Sequence, residues 1–206
     1  MIQRPMATIS TPPKAGPGRP RLTAPQALAA RQLLAFVTRM KVSREAQLLA
    51  LIIAVRAAAA GQANLTSLDM KRYTDPQAAL DTLVAGGWIT GDVSKVVHAD
   101  PIEATLVQAP GLTGLTNPPM GKHIRTRVSG WITRTIAAKP LKKTDAAGRL
   151  AALQLLLYTD PVTGRGVLGI PPDQPIAVPE PGWIIRDATG GYQLSEIATQ
   201  YLPAPD

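Results

Sequence analysis

The sequence predicts a mainly α-helical protein with small β-hairpins, built as two tandem units. Of its 206 residues, 45% are hydrophobic but only eight are aromatic, so a core must consist mostly of Ala, Leu, Val and Ile. Such a core favours helices that carry small surface hairpins.

The distribution of charge indicates the two units. The first 60 residues carry nine basic residues and one acidic residue, and residues 61–117 carry three and six. Residues 118–150 carry eight basic residues and one acidic residue, and residues 151–206 carry two basic and six acidic residues. Each basic block therefore precedes an acidic one, as expected of two units built in the same order.

Residues 1–22 contain five prolines and no apolar periodicity, and we predict that they form a disordered basic arm. Within it, the stretch from Lys14 to Arg21 is similar to the AT-hook, a short minor-groove motif centred on Gly-Arg-Pro. Residues 18–21 match this centre, although Pro17 stands where a basic residue is usual. A Pro/Gly linker with incidental arginines is the alternative. The resemblance implies DNA contacts by the basic side chains of the arm, namely Lys14, Arg19 and Arg21.

The first unit, residues 23–109, begins with two predicted helices. Thr23 and Gln26 have the spacing of a capping box, which predicts a helix over residues 24–41. Ser43 starts a second helix that continues to Gly61 and is apolar on nearly every side in its middle. Other helices should bury such a helix, or it can build a homodimer.

A helix-turn-helix is predicted next. Its first helix covers residues 68–73, its turn is Thr74-Asp75, and its second helix covers residues 76–85 before two glycines. Trp88 then begins a strand.

Two further strands are predicted at residues 93–98 and 102–108, paired as a hairpin. This order of elements resembles the winged-helix family of DNA-binding domains over residues 23–108.

The second unit, residues 122–206, follows a linker at residues 110–121. The spacing of apolar residues predicts a helix over residues 122–138 with Trp131 on its face, and Thr144 or Asp145 caps another helix that carries four leucines.

A hairpin is predicted over residues 182–195, with Trp183 and Ile185 on one face and Ile184 and Arg186 on the other. It is similar to the wing of a second winged helix, but no recognition helix can be placed between Asp160 and Pro181. Core packing is the expected role of Trp88 and Trp183.

The sequence contains no catalytic constellation. It has no cysteine, and its two histidines, His98 and His123, are not at metal-ligand spacing. Gly121-Lys122 fails as the end of a phosphate loop because His123 stands where Ser or Thr should follow. We therefore expect a protein that is not an enzyme and has no metal or cofactor. The absence of a secretory pattern and of a long apolar run predicts a cytoplasmic location.

A formal charge of +8 and a pI near 10.1 favour nucleic acid over membrane as the partner. The leading hypothesis is a protein that binds double-stranded DNA, most simply a transcriptional regulator. A plasmid or phage replication or partition factor and a winged-helix protein-interaction adaptor are the alternatives. Gln77 is the candidate for reading adenine, although Asp75 and Asp81 make its helix acidic. Phosphate contacts are predicted for Lys71, Arg72, Lys122, Arg125, Arg127, Arg134, Lys139, Lys142 and Lys143.

Limited proteolysis tests the predicted arm. Five prolines without apolar residues to bury cannot offset the entropy of ordering, so limited proteolysis should cut near Arg19 or Arg21 and leave a folded remainder. Protection of this segment under conditions that cut other exposed loops would contradict the prediction.

Overall fold

The computed structural model describes residues 21–205 except 59, 99, 102 and 168–177. The fold is mainly helical with two small antiparallel sheets, which confirms this part of the predicted fold class. The helices are α1 (Ala24–Arg39), α2 (Arg44–Ala57), α3 (Ser67–Met70), α4 (Pro76–Ala85), α5 (Ser94–His98), α6 (Lys122–Ile136), α7 (Ala146–Tyr158) and α8 (Glu196–Thr199). The strands are β1 (Gln62–Leu65), β2 (Thr105–Gln108), β3 (Arg165–Val167), β4 (Ile184–Arg186) and β5 (Gly191–Leu194).

Helices α1, α2, α6 and α7 pack on one another at the centre of the molecule. The capping box predicted for α1 is present, with the Thr23 amide donating to Gln26 Oε1 at 3.0 Å. Ser43 and Asp145 cap α2 and α7, as predicted. The apolar centre of α2, residues 48–55, is buried within the chain, so it offers no surface for the predicted homodimer.

The first sheet pairs β1 with β2, and Thr90 forms a single bridge to Gln108 on the other edge of β2. The predicted hairpin between residues 93–98 and 102–108 is therefore wrong: its first half is helix α5, and its second half pairs with the unpredicted strand β1. Val93 and Val96 are both buried, which suits helical spacing. A strand would instead have placed exposed Lys95 on the same face as Val93.

The second sheet has the order β3-β5-β4, and the predicted hairpin is its β4–β5 pair. The Asp187 carboxylate accepts hydrogen bonds from the amides of Thr189 and Gly191, and Gly190 has a φ of 83°, so the turn needs a glycine there. The predicted faces are partly wrong, because Ile184 is buried and Ile185 is 56% exposed. The segment searched for a recognition helix contains β3, and residues 168–177 within it lie outside the described residues.

Leu22 and the predicted linker both pack on the core. Leu22, assigned to the arm, is buried, and its carbonyl accepts the Ala204 amide at 2.7 Å. Residues 1–20 lie outside the described part of the chain. The predicted linker packs on the core through buried Leu112 and Met120. Since one hydrophobic cluster contains residues of both predicted units, the units share a core.

The ion pair of Arg56 and Asp69 ties the end of α2 to α3. Two guanidinium nitrogens each lie 2.7 Å from a carboxylate oxygen, and the Thr66 amide and hydroxyl also donate to this carboxylate. Burial by itself raises the pKa of Asp69, but the hydrogen bonds and charge of Arg56, together with Thr66, bring that pKa below its ordinary value.

Asp69→Asn should lower the free energy of unfolding at pH 7 by about 1–3 kcal/mol, because the Arg56 guanidinium loses its charged partner. A carboxyl with a lowered folded pKa stabilises the fold above the unfolded pKa, about 3.9, and loses that contribution as pH falls through the folded pKa. The difference in free energy of unfolding between wild type and Asp69→Asn, measured with urea, should therefore become smaller in acid. Equal stability of variant and wild type at pH 7 would contradict this.

Candidate nucleic-acid interface

Helix α6 buries one side and presents Arg127 and Arg134 to solvent on another. Val128, Trp131 and Ile132 are buried, and Trp131 Nε1 donates to the Tyr201 carbonyl at 2.7 Å, which confirms its place on the helix face. Arg127 and Arg134 are both exposed and lie seven residues apart, so they share one side of the helix.

A compact loop continues this basic region beyond α6. Ala138 and Leu141 are buried, and the Ala138 carbonyl accepts the amide of Lys142 at 2.9 Å. Because the loop is fixed by its apolar residues, its lysines are directed outward. The exposed residues are Lys139, Lys142 and Lys143.

Arg149, which the sequence analysis did not single out, joins this loop to the first unit. Its Nε and Nη2 donate to the carbonyls of Leu141 and Lys142 at 3.3 and 3.1 Å. Its Nη1 donates to the Arg72 carbonyl, in the turn between α3 and α4. The only sequence signal for it is a basic residue in the first turn of an otherwise apolar helix. Two predicted contact segments, residues 71–72 and 142–143, are thereby brought together.

Acidic partners are lacking around the predicted phosphate contacts. Within the described ranges, the ion pairs are those of Arg56 with Asp69, Lys95 with Asp92, and Arg186 with Glu180. None includes a residue predicted to contact phosphate. None of these cations therefore forms a direct ion pair with a carboxylate of this part of the chain.

The first turn of α4 has the opposite character. Asp75 caps the helix by accepting the Ala78 amide at 3.0 Å, and Glu45 accepts the amides of Thr74 and Asp75 at 2.6 and 3.2 Å. These carboxylates occupy the positions where a phosphate would meet a helix N-terminus. The side-chain amide of Gln77, which is predicted to read adenine, donates from Nε2 to Asp81 Oδ1 on the same helix at 2.7 Å.

The predicted phosphate contacts on α6 and the loop after it fall into two groups, toward the two ends of a helix about 22 Å long at 1.5 Å per residue. Lys122, Arg125 and Arg127 lie toward its N-terminal end, while Arg134 and the lysines of residues 139–143 lie toward or beyond its C-terminal end. Arg125 donates to the Arg56 carbonyl at 3.4 Å. It faces an open cleft of about 620 Å³ between α6 and the first sheet.

The arm residues are only partly described. Lys14 and Arg19 lie outside the described residues. Arg21 is half-buried, and its Nε is enclosed without an acceptor in the described chain.

The chemistry of this surface is that of anion binding by guanidinium and ammonium groups. The described residues include no group of three or more His, Cys, Asp or Glu that could hold a metal ion. They also include no helix with the length and hydropathy needed to cross a membrane. Comparison with protein-family models, curated proteins and solved structures finds no match for this chain.

Proposed function

We propose that this protein binds double-stranded DNA through its phosphate backbone. The observation that carries the proposal is the convergence of basic segments from both units around Arg149, with no carboxylate pairing their side chains in the described chain. A cluster of solvated lysines and arginines favours binding of a polyanion such as DNA. Each phosphate contact releases a condensed counterion, and this release contributes to the affinity.

The topology of the sheets supports the resemblance to winged helices. In the first unit, a buried helix, α2, precedes β1, and β2 lies between β1 and Thr90. In the second unit, the buried helix α7 precedes β3, and β5 lies between β3 and β4. Each unit therefore places its last strand between the two earlier ones, and the repetition favours two winged-helix-like units in tandem.

The contacts are assigned to α6 and the loop after it, and not to the first turn of α4. Carboxylates of Asp75 and Glu45 already accept the amides there, and they would repel phosphate. Gln77 therefore reads a base only if it leaves Asp81. A transcriptional regulator is the simplest role. Footprinting on the native locus separates it from a replication or partition factor, because the latter should protect an array of repeats.

The acidic start of α4 also favours a second candidate, a protein-interaction adaptor that presents Glu45, Asp75 and Asp81 to a basic partner protein. An adaptor should have no DNA affinity at physiological salt. A regulator should retain specific binding with a Kd on the order of 10⁻⁸ to 10⁻¹¹ M.

The double substitution of Lys142 and Lys143 by Ala should reduce the slope of log K against log salt by about 2, because each phosphate contact contributes roughly 0.9. Binding of a DNA duplex at several salt concentrations measures the slope. The fold should be unaffected, because both side chains are exposed.

Lys95→Ala is the matched control for this experiment. Lys95 is exposed but paired with Asp92 at 3.3 Å, and it lies in the acidic part of the first unit, so its loss should leave the slope unchanged. If the double variant keeps the wild-type slope and circular dichroism, these lysines do not touch DNA and the adaptor becomes the better proposal.

Arg19→Ala together with Arg21→Ala should weaken binding selectively at sites flanked by A·T pairs. Only there is the minor groove narrow enough to concentrate negative potential around arginine. Affinities for duplexes with A·T or G·C flanks measure the difference. Equal losses on both would reduce the arm to a nonspecific cationic segment.

A further inference from the structure

The junction between the two units contains two guanidinium groups that no described carboxylate neutralises. Arg149 donates to the carbonyls of Leu141, Lys142 and Arg72, which are all neutral acceptors. A guanidinium has five N–H groups, so two remain after these three bonds. The hydrogen bonds fix the position of Arg149 but leave its full positive charge.

Arg72 adds an enclosed donor to this junction. Its Nη1 is buried and has no acceptor among the described residues. A buried N–H of a charged group without an acceptor is costly, and an anion satisfies both the hydrogen bond and the charge. Water would satisfy the hydrogen bond alone.

Both positive charges act on one buried phenol, that of Tyr73, the residue after Arg72. Burial raises the pKa of its phenol, and the charges of Arg72, Arg56 and Arg149 oppose that rise. The carboxylate of Asp69 also acts on this phenol, but it is already bound by Arg56. Neither Arg72 nor Arg149 forms an ion pair with a carboxylate of the described residues.

We infer that the junction formed by Arg72, Arg149 and Lys142 is a binding site for a phosphate group. Two planar guanidinium groups suit the several oxygens of phosphate, and exposed Lys71 and Lys142 add charge beside them. The phosphate belongs to a DNA backbone or is a free phosphate ion. The DNA source rests on the function proposed above, whereas the free ion does not.

Arg72→Gln tests the site without removing the bridge between the units, because Arg149 binds the backbone carbonyl of residue 72 and not its side chain. We expect saturating inorganic phosphate to raise the Tm of the wild type by about 2–4 °C over sodium chloride of equal ionic strength. Arg72→Gln should abolish this rise.

Arg165→Gln is the matched control. Arg165 is exposed on β3, which follows the C-terminal end of α7, whereas Arg149 lies near the N-terminal end of that helix. The control should keep the full phosphate effect. Arg149→Lys retains the positive charge but not the forked donors of the guanidinium, so it should also lose the rise in Tm with phosphate. If Arg149→Lys fails to fold, Arg72→Gln alone decides the outcome.

Titration of a DNA duplex distinguishes the two sources. If Arg72→Gln also lowers the salt slope by about 0.9, the phosphate is that of the DNA backbone. Loss of the phosphate effect with an unchanged slope assigns the site to free phosphate. If the wild type binds no duplex but Arg72→Gln still loses the rise in Tm with phosphate, the result supports the phosphate site and overturns the proposed function. An equal rise in Tm for wild type and Arg72→Gln, with equal slopes, overturns this inference.

Discussion

The packing of α2 against α7 is the constraint on which the rest of this structure depends. Both helices are apolar around most of their circumference, and leucines such as Leu48 and Leu153 are fully buried. Burial of each such side chain contributes about 1.5–3 kcal/mol, more than the roughly 0–1 kcal/mol typical of an exposed ion pair. Because each helix belongs to a different predicted unit, their contact joins the two units. The sheets, loops and cationic side chains are arranged around this shared core.

The shared core explains why the basic residues converge. With α6 also packed on α1 and α2, its apolar side is turned inward and the loop after it is set beside the turn of residues 71–72. Arg149 then spans the remaining gap with hydrogen bonds to carbonyls of both segments. An arginine used in this way stabilises the junction and at the same time adds to its positive potential. The same contacts therefore support both the fold and the proposed affinity for phosphate.

In a simple helix-turn-helix protein, the second helix would contact the DNA, and here that helix is α4. Helix α4 has the predicted position and length, but Asp75 accepts the Ala78 amide in its first turn, and Glu45 accepts the two amides just before the helix. A helix whose N-terminus is already neutralised by carboxylates has little attraction for phosphate. The basic surface of α6 is the better candidate for the first encounter with DNA. Specific base contacts would then have to come from other parts of the molecule or from a rearranged Gln77.

Strong local signals in the sequence mark several of the helices. The capping residues Thr23, Ser43 and Asp145 and the apolar spacing behind them depend only on neighbours along the chain, so α1, α2 and α7 were predictable. The β4–β5 hairpin was predictable for the same reason, since its turn lies within one short segment.

The pairing of β2 and the basic residue that joins the units depend instead on contacts between distant parts of the chain. The partner of β2 lies about forty residues earlier in the chain. A strand of only four residues, such as β1, has no sequence pattern that indicates which strand it pairs with. The role of Arg149 depends on three carbonyls, two a few residues before it and one 77 residues away. Hydrogen bonds to backbone carbonyls need no particular side chain at the acceptor, so no residue pattern in the sequence announces them.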